Sequence, residues 1–178
     1  MTRRLLAAAV CLALAATPAF AAKSKHKAKG FTPKKVAATW TGTWSNHTFN
    51  TTGPITLQGK LFRKGKAFEF GVDLGGNALG CPDPAAEHTP MITKGRGDNH
   101  WNSKGFTLHL ISQAYGTFKV TYVDKTHKLT GSGGNPSCAP NVTWSLDGKL
   151  TRGSFNGTVS INLGNGQTAS STLSATRQ

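Results

Sequence analysis

Residues 39–46 read TWTGTWSN, with two tryptophans four positions apart and a glycine midway between them. In a β-strand, side chains at alternate positions point to the same face of the sheet, so Trp40, Gly42 and Trp44 share one face. Threonines and Ser45 occupy the positions between and after them and face the other way. This alternation predicts a strand with one buried and one solvated face.

The same period of two recurs along the rest of the chain, whereas helical periodicity is almost absent after the N-terminal leader. We predict about nine strands on this pattern. They cover residues 38–45, 55–61, 68–74, 106–110, 116–122, 129–131, 142–150, 155–163 and 169–175. Short turns join most of them, among them the hairpin sequences Lys64-Gly65 and Asn165-Gly166. One long connection, residues 75–104, interrupts the meander, and residues 88–94 within it could add a short edge strand.

Glycine falls on the apolar phase of several predicted strands, although glycine weakens a strand interior. The positions are Gly42, Gly59, Gly116, Gly148 and Gly157. Strong coiling of a sheet into a barrel explains them, because inward positions at the bends must be small. We therefore predict an all-β fold, an antiparallel up-and-down β-barrel of about 8–9 strands. A β-sandwich is the alternative, with these glycines relieving contact between two sheets.

The N-terminus has the features of an export signal. Arg3 and Arg4 precede an apolar run of about a dozen residues and a small-x-small ending at Ala19-Phe20-Ala21. We expect residues 1–21 to be a signal peptide, cleaved after Ala21, that sends the protein to the periplasm or outside the cell. No later stretch is long and apolar enough to predict a transmembrane helix. Residues 37–178 are predicted to form a single domain.

The chain is strongly basic, with 21 Lys and Arg against 7 Asp and Glu and a formal net charge of +14. Residues 22–36 hold a run of lysines that cannot bury apolar area, so we predict a disordered arm there. These lysines are Lys23, Lys25, Lys27, Lys29, Lys34 and Lys35. The arm is either a solubilising tail or a contact to an anionic surface, such as lipid headgroups or an envelope polymer. Lysine spacing gives no indication of specific nucleic-acid binding.

Three cysteines are present, and the predicted leader contains Cys11. The remaining pair, Cys81 and Cys138, predicts one disulfide in an exported chain. Two buried thiols are the alternative.

The Gly42-Thr43-Trp44 element and Arg177 near the chain's end resemble the calycin group of lipocalins and avidins. In that group a first-strand tryptophan packs against a basic residue across the closed bottom of an eight-stranded barrel. The resemblance implies a cation-π contact between Trp44 and Arg177. TGTWSN is also similar to the opening of avidin-type biotin binders, which implies that Asn46 faces the ligand. The second predicted strand departs from that pattern, because it lacks the expected tyrosine.

Catalytic and metal-binding patterns are absent from the sequence. Glu69 and Asp73 lie four apart on a solvated strand face, about 13 Å by strand rise, too far for a glycosidase pair. No serine stands in a strand-turn-helix elbow. The candidate metal ligands are Glu87, His88, His100 and His109, and they are not spaced as in the HExxH or His-x-His motifs of metal sites. We predict a protein that is not an enzyme and has no metal or cofactor.

Three functional hypotheses follow, and none identifies the partner or the oligomeric state. In the first, the barrel mouth holds a small, partly apolar ligand, contacted by Trp40, Asn46, Phe70, Phe118 and Trp144. These side chains fill a solid core in the alternative interpretation. In the second, the lysine-rich arm tethers the protein to anionic polymer or lipid of the cell envelope. In the third, the protein is a secreted inhibitor of an acidic hydrolase, since its charge would repel a basic one.

Overall fold

The computed structural model describes residues 30–76, 89–95, 97–112 and 116–178, which form a closed β-barrel of eleven strands. In chain order the strands are β1 (Thr39–Asn46), β2 (Thr51–Phe62), β3 (Ala67–Leu74), β4 (Ile92–Lys94), β5 (His100–Asn102), β6 (Gly105–Ser112), β7 (Gly116–Val123), β8 (Lys128–Gly134), β9 (Thr143–Leu150), β10 (Ser154–Asn162) and β11 (Thr168–Arg177). The all-β prediction and the choice of a barrel over a sandwich are confirmed. Within the described ranges, the only helical elements are the 3₁₀ turns Pro33–Lys35 and Arg63–Gly65. No helix in these ranges is long and apolar enough to cross a membrane.

The strands follow one another around the barrel in chain order, and β1 pairs with β11 to close it. This closing ladder runs from Trp40 opposite Arg177 to Asn46 opposite Ser171. All neighbouring strands are antiparallel except β4 and β5, which are parallel. A meander of this kind needs only short connections, as the turn sequences indicate.

The predicted number of strands, about 8–9, is wrong, because the barrel has eleven. The long connection of residues 75–104 contains two of them, β4 and β5. β4 and β5 have three residues each, which is too short for a period of two to be recognised. β4 lies within residues 88–94, where the sequence suggested a short edge strand. It pairs with β3 at only two positions, and its parallel pairing with β5 departs from the predicted antiparallel meander.

The two ends of the barrel differ. One end, here called the closed end, carries the turns at residues 63–66, 103–104, 124–127 and 151–153. Residues 30–38, the N-terminal strap, pack against it: the Phe31 amide donates to the Ser103 carbonyl at 2.8 Å, and the Gly59 amide donates to the Ala38 carbonyl at 2.8 Å. The opposite end, the mouth, carries the turns at residues 47–50, 135–142 and 163–167.

Phe31 anchors the strap in an aromatic cluster. Its ring centroid lies 5.7–6.2 Å from those of four other rings, which belong to Phe68, Trp101, Phe106 and Tyr122. Only 2% of the Phe31 surface is exposed, so its burial offsets part of the entropy lost in ordering the strap.

The predicted disordered arm, residues 22–36, is too long at its C-terminal end, because residues 30–36 are packed in the structure. The lysines of this segment predict disorder, but Phe31 and Val36 are both buried. Lys35 forms an ion pair with Asp124 at 2.5 Å, whereas Lys34 is exposed. The signal peptide and the lysines at 23, 25, 27 and 29 lie outside the described residues and stay predictions.

Candidate functional site

A cavity of about 60 Å³ lies inside the mouth half of the barrel. The eight described residues that line it are all apolar: Val72, Leu74, Phe118, Val120, Trp144, Leu146, Val159 and Leu173. The barrel interior is thus partly hollow. Its volume is several times the ~10–15 Å³ that one water molecule needs, but well below the roughly 300–1,000 Å³ of pockets for drug-sized ligands.

The strand period places these side chains together. β3, β7 and β9 each contribute two residues at alternate positions, and the register of the ladders brings them to one level of the barrel. Leu146 lies opposite Val159 in the β9–β10 ladder, and Leu173 lies beside Trp44 in the β1–β11 ladder. The cavity is a property of the inward face of five strands rather than of a loop.

Two aromatic rings form one side of the cavity, and glycines of β8 make room for them. The ring centroids of Phe118 and Trp144 are 5.6 Å apart, with the planes tilted by 53°. Gly133 lies between these residues in the sheet, opposite Phe118 on one side and Trp144 on the other. A Cβ on Gly133 would lie 2.7 Å from Cζ2 of Trp144. The indole can therefore lie against β8 only because that strand has no side chain there.

Trp144 also has an unsatisfied hydrogen-bond donor. Its Nε1 is buried and has no acceptor within the described part of the chain, and the same holds for Trp40 and Trp101. A buried donor without a partner costs about 1–3 kcal/mol. Of these three tryptophans, Trp144 is the one whose side chain lines the cavity.

The structure separates the five residues predicted to contact a ligand. Phe118 and Trp144 line the cavity. Trp40 and Phe70 are fully buried elsewhere in the core. Asn46 shapes the β1–β2 turn, where its Oδ1 accepts hydrogen bonds from the amides of Thr48 at 2.9 Å and Phe49 at 3.0 Å. Their role in ligand binding stays a prediction.

Six cavity residues were not predicted, and no signal in the sequence distinguishes them. They are Val72, Leu74, Val120, Leu146, Val159 and Leu173. Each occupies an ordinary inward position of its strand, as a core residue would.

The cation-π contact implied between Trp44 and Arg177 is wrong. Trp44 lies opposite Leu173 towards the mouth, and its Nε1 donates to the Gly75 carbonyl at 2.9 Å. Arg177 lies opposite Trp40 at the closed end, about 13 Å further along β11 by strand rise. Its guanidinium donates to the Arg152 carbonyl at 3.3 Å.

Other chemistry in the described ranges is sparse. They contain no group of three or more His, Cys, Asp or Glu side chains able to hold a metal ion. Burial, with a smaller contribution from the negative charge of Asp124, raises the pKa of Tyr122 to about 12. Tyr122 and His127 share a hydrogen bond of 3.2 Å at the closed end. Cys138 lies in a mouth turn, while Cys81 lies outside the described residues, so the disulfide between them stays a prediction.

Comparison of the chain with protein-family models, curated proteins and solved structures gave no match. The assignment of a function therefore depends on the barrel interior and on the distribution of charge over its surface.

Proposed function

We propose that the protein is a non-enzymatic binding protein that takes a small apolar molecule, or the apolar end of a larger one, into the mouth half of its barrel. The observation that carries this proposal is the hollow of about 60 Å³ lined by eight apolar side chains. Close-packed interiors have few voids larger than a water molecule, so a hollow of this size is unusual for a solid core. Apolar cavities of this kind stay dry and accept apolar ligands.

The lining defines the chemistry of the ligand. The eight described lining side chains are apolar and favour a hydrocarbon body. A charged group would lose its hydration without a compensating partner among the described lining residues. The volume limits the buried part to a few heavy atoms, so a longer molecule would extend out through the mouth.

The remaining features agree with a secreted binding protein. A closed meander barrel is compatible with the calycin group that the Gly42-Thr43-Trp44 element resembles. We propose export by the leader, to the periplasm or the cell exterior, and a stabilising Cys81–Cys138 disulfide. No feature of the described residues supports the hypothesis that the protein inhibits a hydrolase.

The test is a titration with short alcohols, ketones and small arenes, followed by tryptophan fluorescence and by NMR shifts of the lining methyl groups. Val159→Ile adds one methylene to the cavity lining and should weaken probe binding about tenfold, a loss typical of one misplaced methylene. Val142→Ile is the matched control, because Val142 is buried outside the lining. It should leave probe affinity unchanged.

Two results would overturn the proposal. One is the absence of any perturbation of fluorescence or methyl shifts by the whole series. The other is an equal loss of affinity in both valine variants, which would place binding outside the cavity.

A further inference from the structure

The described lysines and arginines gather at the closed end of the barrel. They lie on its turns, on the strand ends next to them and on the strap, and their side chains are largely exposed. The set, here called the basic ring, comprises Lys34, Lys60, Arg63, Lys64, Lys66, Lys94, Lys104, Lys125, Lys128, Lys149, Arg152 and Arg177. Among the exposed lysines and arginines that the structure describes, only Lys119, midway along β7, lies outside the basic ring.

Few carboxylates neutralise the basic ring. Asp124 is paired with Lys35 of the strap, and Asp147 lies 3.0 Å from Lys128. Glu69 lies opposite Lys60 in the β2–β3 ladder, and Asp98 is exposed in the β4–β5 connection. The closed end keeps a clear excess of positive charge.

The described turns of the mouth differ in charge. The turns at residues 47–50, 135–142 and 163–167 contain no lysine, arginine, aspartate or glutamate. Among the described residues, the closed end is therefore a cationic pole, and these three turns at the opposite pole carry no charged side chain.

Two exposed apolar side chains accompany the basic ring. Leu61 and Val123 are each 38% exposed, Leu61 two residues before Arg63 and Val123 two residues before Lys125. The other two large apolar side chains exposed in the described chain, Phe49 at 55% and Ile111 at 83%, lie towards the mouth, away from these cations. Apolar side chains among lysines and arginines are typical of surfaces that lie in the headgroup region of a bilayer.

We propose that the closed end docks on an anionic lipid bilayer, with the mouth facing away from the membrane. The cations stand on separate hairpin tips around a rim roughly 20 Å across, by the spacing of strands in a barrel. A rim matches a planar array of phosphates, whereas a linear polyanion is bound best along a groove or row of cations.

The position of the strap adds to this argument. Gly30, the first described residue, packs against Ser103 at the closed end. Lys23, Lys25, Lys27 and Lys29 precede Gly30 by one to seven residues in the sequence. The predicted lysine-rich segment therefore joins the described chain on the same pole as the basic ring.

The test uses the protein recovered after export, with its N-terminus determined by mass spectrometry. Co-sedimentation is measured with vesicles of phosphatidylcholine alone and with vesicles that contain roughly 30% phosphatidylglycerol. We expect binding to the anionic vesicles only, and a steep loss between about 0.05 M and about 0.3 M salt, because the Debye length shortens over this range.

Variants separate the barrel from its arm. The triple variant Arg63→Gln, Lys64→Gln, Lys66→Gln should lower the partition coefficient at least about fivefold, while Lys119→Gln should change it less than about twofold. A full chain with glutamine at 23, 25, 27 and 29 reports the contribution of the arm and should still bind anionic vesicles. Circular dichroism checks that each variant is folded.

Hydrogen exchange on the vesicle-bound protein reports its orientation. Added protection should appear at residues 63–66, 103–104, 124–127 and 151–153, and not at the mouth turns. Four results would overturn the proposal: equal binding to neutral vesicles, an unaffected triple variant, protection at the mouth, or binding to soluble polyphosphate without binding to vesicles. None of these bears on the cavity, so the ligand proposal stands or fails separately.

Discussion

Gly42 lies opposite Ala175 in the ladder that joins the first strand to the last, and a Cβ on Gly42 would lie 2.6 Å from the Ala175 Cα. It would also collide with the carbonyl oxygen of Ser174. The glycine between Trp40 and Trp44 thus allows the backbones of β1 and β11 to approach where the barrel closes. Both tryptophans remain buried on the inner face.

Gly42→Ala should lower the free energy of unfolding by about 1–3 kcal/mol, because the new methyl group meets backbone atoms that can move only with their strand. Gly153→Ala is the control, since a Cβ there has no atom within 4 Å. Urea unfolding of both variants measures the difference. Equal stabilities would show that the two strands tolerate a wider separation at the seam.

The long strands could be predicted because each is long enough to show alternation. β4 and β5 could not, since three residues carry no period. The strap was missed for a different reason: its charge predicted disorder, but two apolar anchors, Phe31 and Val36, determine its packing.

The cavity was only partly predictable. Phe118 and Trp144 stood out as aromatic residues, but a hollow depends on what the facing strands leave unfilled. That depends on register and ring orientation, for example on the tilt of Trp144 against Gly133. A list of inward residues such as Val120 and Leu146 does not contain this information.

Breaking the ion pair between the strap and the β7–β8 turn should destabilise the protein. Lys35→Met leaves the Asp124 carboxylate, whose side chain is 13% exposed, without its partner. Because Lys35 is 27% exposed, we expect a loss of about 1–2 kcal/mol, less than for a fully buried pair. Lys34→Met is the matched control. The double variant Lys35→Met, Asp124→Asn should recover part of the loss in thermal unfolding, and no recovery would contradict the pairing.

Alkaline pH should unfold the protein partly through Tyr122. Its pKa rises from 10.0 in a model compound to about 12 in the folded state, so between these pH values the unfolded chain loses the proton first. Ionisation of Tyr122 therefore leaves the free energy of unfolding unchanged below pH 10 and lowers it as the pH rises towards 12. Tyr122→Phe should flatten the decline.

The two tyrosines allow a direct check of that pKa. In Tyr115→Phe, the ultraviolet absorbance of tyrosinate reports Tyr122 alone. It should titrate near 12 in the folded protein and near 10 in denaturant. A folded-state value near 10 would contradict the desolvation of this side chain.

Two glycines of β8 should respond differently to alanine. A Cβ on Gly133 would lie 2.6 Å from Cβ of Phe118 and 2.8 Å from the Thr117 carbonyl oxygen, whereas the nearest atoms to a Cβ on Gly131 are at 3.4 Å. Gly133→Ala should therefore cost about 1–3 kcal/mol and push the rings of Phe118 and Trp144 towards the cavity. Gly131→Ala should be close to neutral.

Chemical denaturation measures the loss of stability in each variant, and the emission wavelength of tryptophan reports the displaced indole. If the cavity binds the probe molecules, Gly133→Ala should also lower the affinity for them. The difference in stability between the two alanine variants is expected whether or not the protein has a ligand. Equal behaviour of the two variants would show that β8 does not determine the position of Trp144.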